Sequence, residues 1–137
     1  MIFSNDRAKE RYSLLCLRMK FILEDLDKQF TLKFKKEITI TETVTTLEED
    51  QRLNRQSDTH RTRRAADIRT INLKPEEKEF IIDFLNEKYK SSGAMVNGVP
   101  NLVVDKPHGS GPHLHIQLSR KFELPTYRGV KSDKKKS

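Results

Sequence analysis

A chain of 137 residues, 34% hydrophobic and 34% charged, makes one domain with enough apolar material to bury a core. Its single cysteine, Cys16, excludes an internal disulfide and a cysteine-rich zinc site, so a metal here has to be held by histidine and carboxylate. The formal net charge of +7 favours anionic surroundings (nucleic acid, cell wall or anionic lipid) without choosing among them.

Part of that charge lies in a lysine-rich stretch at 131–136, so a domain over residues 1–120 followed by a basic, flexible tail over 121–137 is expected. No run approaches the roughly 18 apolar residues of a membrane span. The first residues lead directly into a charged amphipathic pattern without a signal-peptide core, so synthesis in the cytoplasm is expected, with outside help for any export.

Residues 5 to about 29 read as one long helix, capped by Ser4 or Asn5, because Tyr12, Leu15, Met19, Ile22 and Leu26 recur at three- and four-residue steps. Cys16 lies on it as an ordinary small packing residue. Residues 30 to about 44 read as a strand region, with Ile38 and Ile40 alternating with Thr39 and Thr41. Thr46 and Glu49 form a capping-box pattern that opens a short helix, 47 to about 55. A polar loop, 56–63, precedes a buried strand, 65–71.

Pro75 with Glu76 and Glu77 starts a second long helix, which buries Phe80, Ile81, Phe84 and Leu85 and ends near Gly93. Asn97-Gly98 is a hairpin turn between residues 95–96 and Val99, with 102–104 as the return strand. A glycine- and proline-containing loop, 106–112, leads to a final strand, 113–118. These elements predict an α+β fold: a small, mainly antiparallel sheet flanked by helices.

All four histidines, His60, His108, His113 and His115, fall in loop or strand contexts. On a strand His113 and His115 project from the same face, roughly 6 to 7 Å apart, while Leu114, Ile116 and Leu118 point to the core. Upstream, His60 lies in a loop and Asp67 on a strand of small residues, Ala65 and Ala66. A carboxylate in that apolar setting needs a partner, either a metal or a salt bridge to Arg64 or Arg69. Taken together, His60, Asp67 and His115 make a three-ligand zinc set with room for water, and His113 is the adjacent base.

His60-x6-Asp67 followed by His113-x-His115 resembles the LAS zinc peptidases, which include lysostaphin-type enzymes, D-Ala-D-Ala metallopeptidases and the hedgehog signalling domain. The nearer likeness is to the D-Ala-D-Ala carboxypeptidase and L-alanyl-D-glutamate endopeptidase branch found among phage endolysins. That branch reads Ser-x-His-x-x-Gly-x-Ala-x-Asp, then a strand ending in the last ligand. Residues 51–70 and 112–118 carry the match, and the element order extends it over roughly 5–118.

The resemblance implies a hedgehog/D-Ala-D-Ala-peptidase-like fold and Zn2+ held by His60, Asp67 and His115. It also implies that His113 assists the water or the oxyanion. Ala65 matches the small residue of the motif. Arg63 stands where the family has glycine, and Asp58 where it has serine, with Ser57 one place earlier. Pro112 stands where some members carry a glutamate base. The family's substrate-gripping arginine has no counterpart in 43–46, leaving Arg52, Arg55 or Arg64 as substitutes.

The expected function is thus hydrolysis of peptidoglycan stem or cross-link peptides by a monomeric phage lysis or virion enzyme, acting on the cell wall once released or carried in a virion. No specific nucleic acid and no transmembrane segment are expected. The alternatives are a catalytically weak zinc-binding module of the same fold and an HUH-type nicking enzyme using His113, His115 and Tyr127. A third is a nucleotidyl transferase of the HIT branch, echoed by His113-x-His115-x-Gln117. His108 is expected in a flexible loop that leans over the substrate.

Overall fold

The computed structural model describes residues 1–107 and 111–129; His108 and the segment 130–137 lie outside the described residues. The N-terminal apolar stripe is not one helix. A two-residue strand, β1 (Ile2–Phe3), comes first, then α1 (Asp6–Arg11), capped by the Asn5 side chain, which accepts from the Ala8 N–H at 2.8 Å. A 3-10 turn (Tyr12–Leu14) and two extended residues, Leu15 and Cys16, separate it from α2 (Leu17–Phe34). The break has a tertiary cause: the Cys16 N–H donates to the Arg63 carbonyl at 2.8 Å instead of continuing the helix. Leu15 and Met19 both reach the same core, so the periodicity carries straight across the break.

Helix α2 also runs past residue 29, correcting the expected strand start. Phe30, fully buried, continues the Ile22–Leu26 face, and its ring lies 4.9 Å from that of Phe34. Lys35, in the left-handed conformation, ends the helix. The strand proper is β2 (Thr39–Glu42).

The Thr46–Glu49 capping box forms as the sequence indicates and opens α3 (Leu47–Arg52), which stops short of residue 55 at a left-handed Asn54. β3 (Ala65–Arg69) and α4 (Pro75–Tyr89) follow. The Asn97-Gly98 turn joins β4 (Ala94–Val96) to β5 (Val99–Asn101) as a separate two-stranded hairpin. The expected return strand at 102–104 instead feeds β6 (Val103–Lys106) into the main sheet. Strand β7 (His113–Gln117) completes it.

The main sheet is mixed, with order β1-β2-β3-β7-β6; β1 pairs in parallel with β2 and the other three pairings are antiparallel. Alternation along the central strands sorts their side chains. Ile38, Ile40, Ala66, Ile68, Leu114 and Ile116 join Met19, Leu23, Leu26 and Phe30 of α2 and Ile81 and Leu85 of α4 in one core. Each large apolar side chain buried this way contributes about 1.5–3 kcal/mol. The helices cover one face of β3 and β7; the residues between those core positions line the other face.

Beyond β7, the chain returns across the domain. The Tyr127 N–H donates to the Arg61 carbonyl at 2.8 Å, and the Tyr127 carbonyl accepts from the Leu47 N–H at 3.1 Å. Residues 121–129 of the basic segment therefore lie against the domain. No helix among the described residues is long and apolar enough to cross a membrane.

Candidate metal centre

The register of the sheet brings the charged residues into a row. Asp67 at the middle of β3 lies directly opposite His115 of β7 on one side and Glu42 of β2 on the other. Strict alternation puts Glu42 on the core face with Ile38 and Ile40. A register shift between Ile40 and Glu42 turns it instead toward the imidazoles, with its carboxylate 3.7 Å from His60 Nε2.

His60 comes from the loop before β3, which is wound into a tight turn. Thr62 N–H donates to Asp58 carbonyl at 3.0 Å, and Arg63, at φ 66°, reverses the chain. Arg64 fastens the turn to the end of β7: its guanidinium bonds the Leu118 carbonyl at 2.6 Å and the Asp58 carboxylate at 2.8 Å. The loop thus delivers His60 with its ring fixed at both nitrogens. Nδ1–H donates to the Thr43 carbonyl at 2.6 Å, which leaves Nε2 facing Asp67 Oδ1 at 3.2 Å. Backbone anchoring of one imidazole nitrogen is the usual way to orient the other toward a metal.

Asp67 Oδ1 also accepts from His115 Nδ1 at 2.8 Å, and the Thr59 hydroxyl lies 3.4 Å from His115 Nε2. The two imidazole rings stand 5.1 Å apart. His60, Asp67 and His115 are all buried, and one ligand atom from each lies within 4.8 Å of the others. Two imidazoles and a carboxylate converging at that spacing fit a small divalent cation, and the donor set suits zinc.

The electrostatics of the cluster are those of a buried ion pair. Burial alone would depress His60, but the Asp67 charge and hydrogen bond, with Glu42 beyond, hold it up to about 9. Burial alone would raise Asp67; the charged His60 and the hydrogen bonds from both imidazoles outweigh it and keep the carboxyl far below its ordinary range. His115 shifts downward because it is desolvated and faces a charged His60, against the opposing hydrogen bond to Asp67. One imidazolium, one carboxylate and one neutral imidazole result.

The row opens into a cleft of about 880 Å³. His113 stands in its wall: its Nδ1–H donates to the Gly111 carbonyl at 2.7 Å, and its Nε2 lies 3.7 Å from Asp67 Oδ2. It is therefore a neighbour of the cluster outside the three converging ligands. Arg55 lines the same cleft, held by the Glu42 carboxylate at 2.8 Å.

The sequence-predicted residues separate cleanly. His60, Asp67, His113 and His115 meet at one place. Arg64, offered both as Asp67's salt-bridge partner and as a substrate grip, is buried against Asp58 and does neither. Arg52 pairs at the surface with Glu48, so of the three suggested arginines Arg55 lines the cleft, where Arg69 also stands. The Tyr127 ring packs under the Arg11 guanidinium, 5.3 Å from it, and does not line the cleft. Glu42, the Thr43 carbonyl and the Thr59 hydroxyl were missed, because each depends on chain geometry that alternation does not carry. Compared with protein-family models, with curated proteins and with solved structures, the chain has no match in any of the three.

Proposed function

We propose that this domain is a zinc-dependent peptidase of the LAS type, cleaving peptide bonds in peptidoglycan stem or cross-link peptides, in the setting of a phage lysis or virion enzyme. The observation that carries the proposal is the convergence of His60, Asp67 and His115 on one point of a wide cleft, from the two segments whose motifs suggested it. When bound there, zinc supplies Lewis acidity toward a carbonyl and makes water a nucleophile near neutral pH.

The chain's own residues divide the remaining work. The Thr43 carbonyl holds the His60 ring, and Asp67 balances the positive charge. His113, anchored through Nδ1 to Gly111, offers Nε2 to take the proton of the attacking water or to donate to the developing oxyanion. Arg55 is one of three cations lining the cleft, with Arg69 and Lys106, and meets a carboxylate of the substrate in exchange for its contact with Glu42.

The pairing of Glu42 with Arg55 also favours a second reading. It neutralises a carboxylate near the ligands, as suits a module that holds zinc without hydrolysis. Defined muropeptides incubated with purified, zinc-loaded protein, with and without chelator and read by mass, separate the two. Chelator-sensitive cleavage that His113→Ala lowers by about 100-fold or more supports the peptidase. Stoichiometric zinc with no product supports the module, and protein that takes up no zinc refutes both.

A further inference from the structure

The open face of the sheet carries a second cleft, of about 530 Å³. It shares part of its wall with the first: Gln56, Ser57 and Thr59 line both. Thr59 also reaches the candidate metal centre through its hydroxyl, 3.4 Å from His115 Nε2. The two clefts are therefore neighbours across the cluster.

The strands give the reason. Three cross-strand pairs follow one another along β3 and β7: Arg69 opposite His113, Asp67 opposite His115, and Ala65 opposite Gln117. Residues two apart on a strand share a face, so these rungs lie side by side at about 6.6 Å intervals. Arg69 and His113 line the larger cleft, the middle rung supplies two of the ligands, and Gln117 lines the second cleft. At the third rung Ala65 is fully buried and lines neither cleft, so Gln117 alone brings that rung to the surface. Residues lining the two clefts thus flank the reacting position over about 13 Å, the span of a few extended residues.

The chemistry of the second cleft suits uncharged peptide. Its carboxylate, Asp58, is already bound by Arg64 at 2.8 Å and Arg120 at 3.1 Å, and Arg61 is bound to Asp50 at 3.1 Å. The Gln117 Nε2 donates to the Asn101 carbonyl at 3.0 Å, which leaves its Oε1 as an acceptor in a cleft that also has apolar surface on β4, where Met95 is 58% exposed and Val96 45%. A carbonyl acceptor beside apolar surface suits a peptide N–H flanked by small apolar side chains.

We infer that the second cleft receives the continuation of the same peptide, so that the domain cuts internal bonds of an extended chain instead of trimming a terminal residue. The inference rests on the peptidase proposal above. Its test compares two muropeptides sharing one cleavable bond, one ending a single residue beyond it and one extending at least two residues on each side. Zinc-loaded protein should cleave the extended peptide with kcat/KM about tenfold or more higher. Chelator-treated protein should bind it more tightly by calorimetry, and Met95→Asp, at an exposed position, should shrink both advantages. Equal cleavage and equal binding of the two peptides overturn the inference while leaving the peptidase proposal standing. Cleavage of neither peptide overturns both.

Discussion

The two faces of the β3–β7 pair are built from the same ten residues on opposite terms. Toward the helices, Ala66, Ile68, Leu114 and Ile116 are fully buried among many apolar neighbours. Toward the clefts, Asp67 and His115 are nearly as buried but depend on a few directed contacts: 2.8 Å between them, 3.2 Å from Asp67 to His60 and 2.6 Å from His60 to a carbonyl. The core face is redundant, so one truncated side chain leaves a cavity that its neighbours partly fill. The polar face has no such reserve, because each buried charge relies on the next.

Single substitutions, one on each face, break this comparison most sharply. Asp67→Ala should lower zinc affinity by at least about 100-fold, read by competition with a chromophoric chelator, since one of the three ligands and the only carboxylate among them is gone. Leu114→Ala, next to His115 but pointing to the core, should cost about 3 kcal/mol in denaturant unfolding and change zinc affinity less than tenfold. If the core substitution abolishes zinc binding while the domain remains folded, the faces are not separable in this way.

Acid and base sharpen the same contrast, with an effect of about 3 kcal/mol. His60 is raised from 6.5 to about 9 in the folded protein. The stability it contributes to chelator-treated protein is fully present below pH 6.5 and is lost as pH rises through 9. Asp67 is depressed from 3.8, so its contribution is present above that value and is lost only in strong acid. The melting temperature of metal-free protein should therefore peak near pH 4–6 and fall between 6.5 and 9, and Asp67→Asn should flatten the fall. Zinc affinity should run the other way. The cation competes with the His60 proton, so binding should tighten by about tenfold per pH unit up to pH 9. A melting temperature that is level from pH 5 to 9 in the metal-free protein would refute the ion pair.

The redundant face was the more legible in the sequence, and the reason is physical. Helical and alternating periodicity records which side of an element is buried, and it located the inward residues of α4 and β7, while local motifs marked the start of α4, the Thr46–Glu49 cap and the Asn97-Gly98 turn. The same signal cannot show where the chain stops turning while still facing the core. For that reason the break at Leu15 and Cys16 was invisible, and so was the helical continuation through Phe30. The site was legible where its residues sit in regular structure: His113 and His115 by alternation, Asp67 by its apolar setting. Glu42 was hidden by a register shift that moves it off the core face. The Thr43 carbonyl left no trace in a side-chain pattern.

The smallest expected effect concerns the loop that carries His60. Arg63 takes φ 66° there, its N–H bonds the His60 carbonyl at 3.1 Å and its own carbonyl accepts from Cys16 at 2.8 Å. The turn thus adopts at this position the left-handed backbone that glycine takes without strain. An L side chain there costs about 1–2 kcal/mol, and the Arg63 Nε is in addition buried without a partner among the described residues. Glycine gives back part of the gain through the freedom it adds to the unfolded chain. Arg63→Gly should therefore stabilise the domain by about 0.5–1 kcal/mol, a rise of about 2–4 °C in melting temperature. Zinc affinity should stay the same, because the carbonyl of Thr43, and not the strain at 63, orients His60. A loss of stability on that substitution would mean that the Arg63 side chain itself holds the loop, and would move the source of His60's placement from the backbone to a contact on the surface.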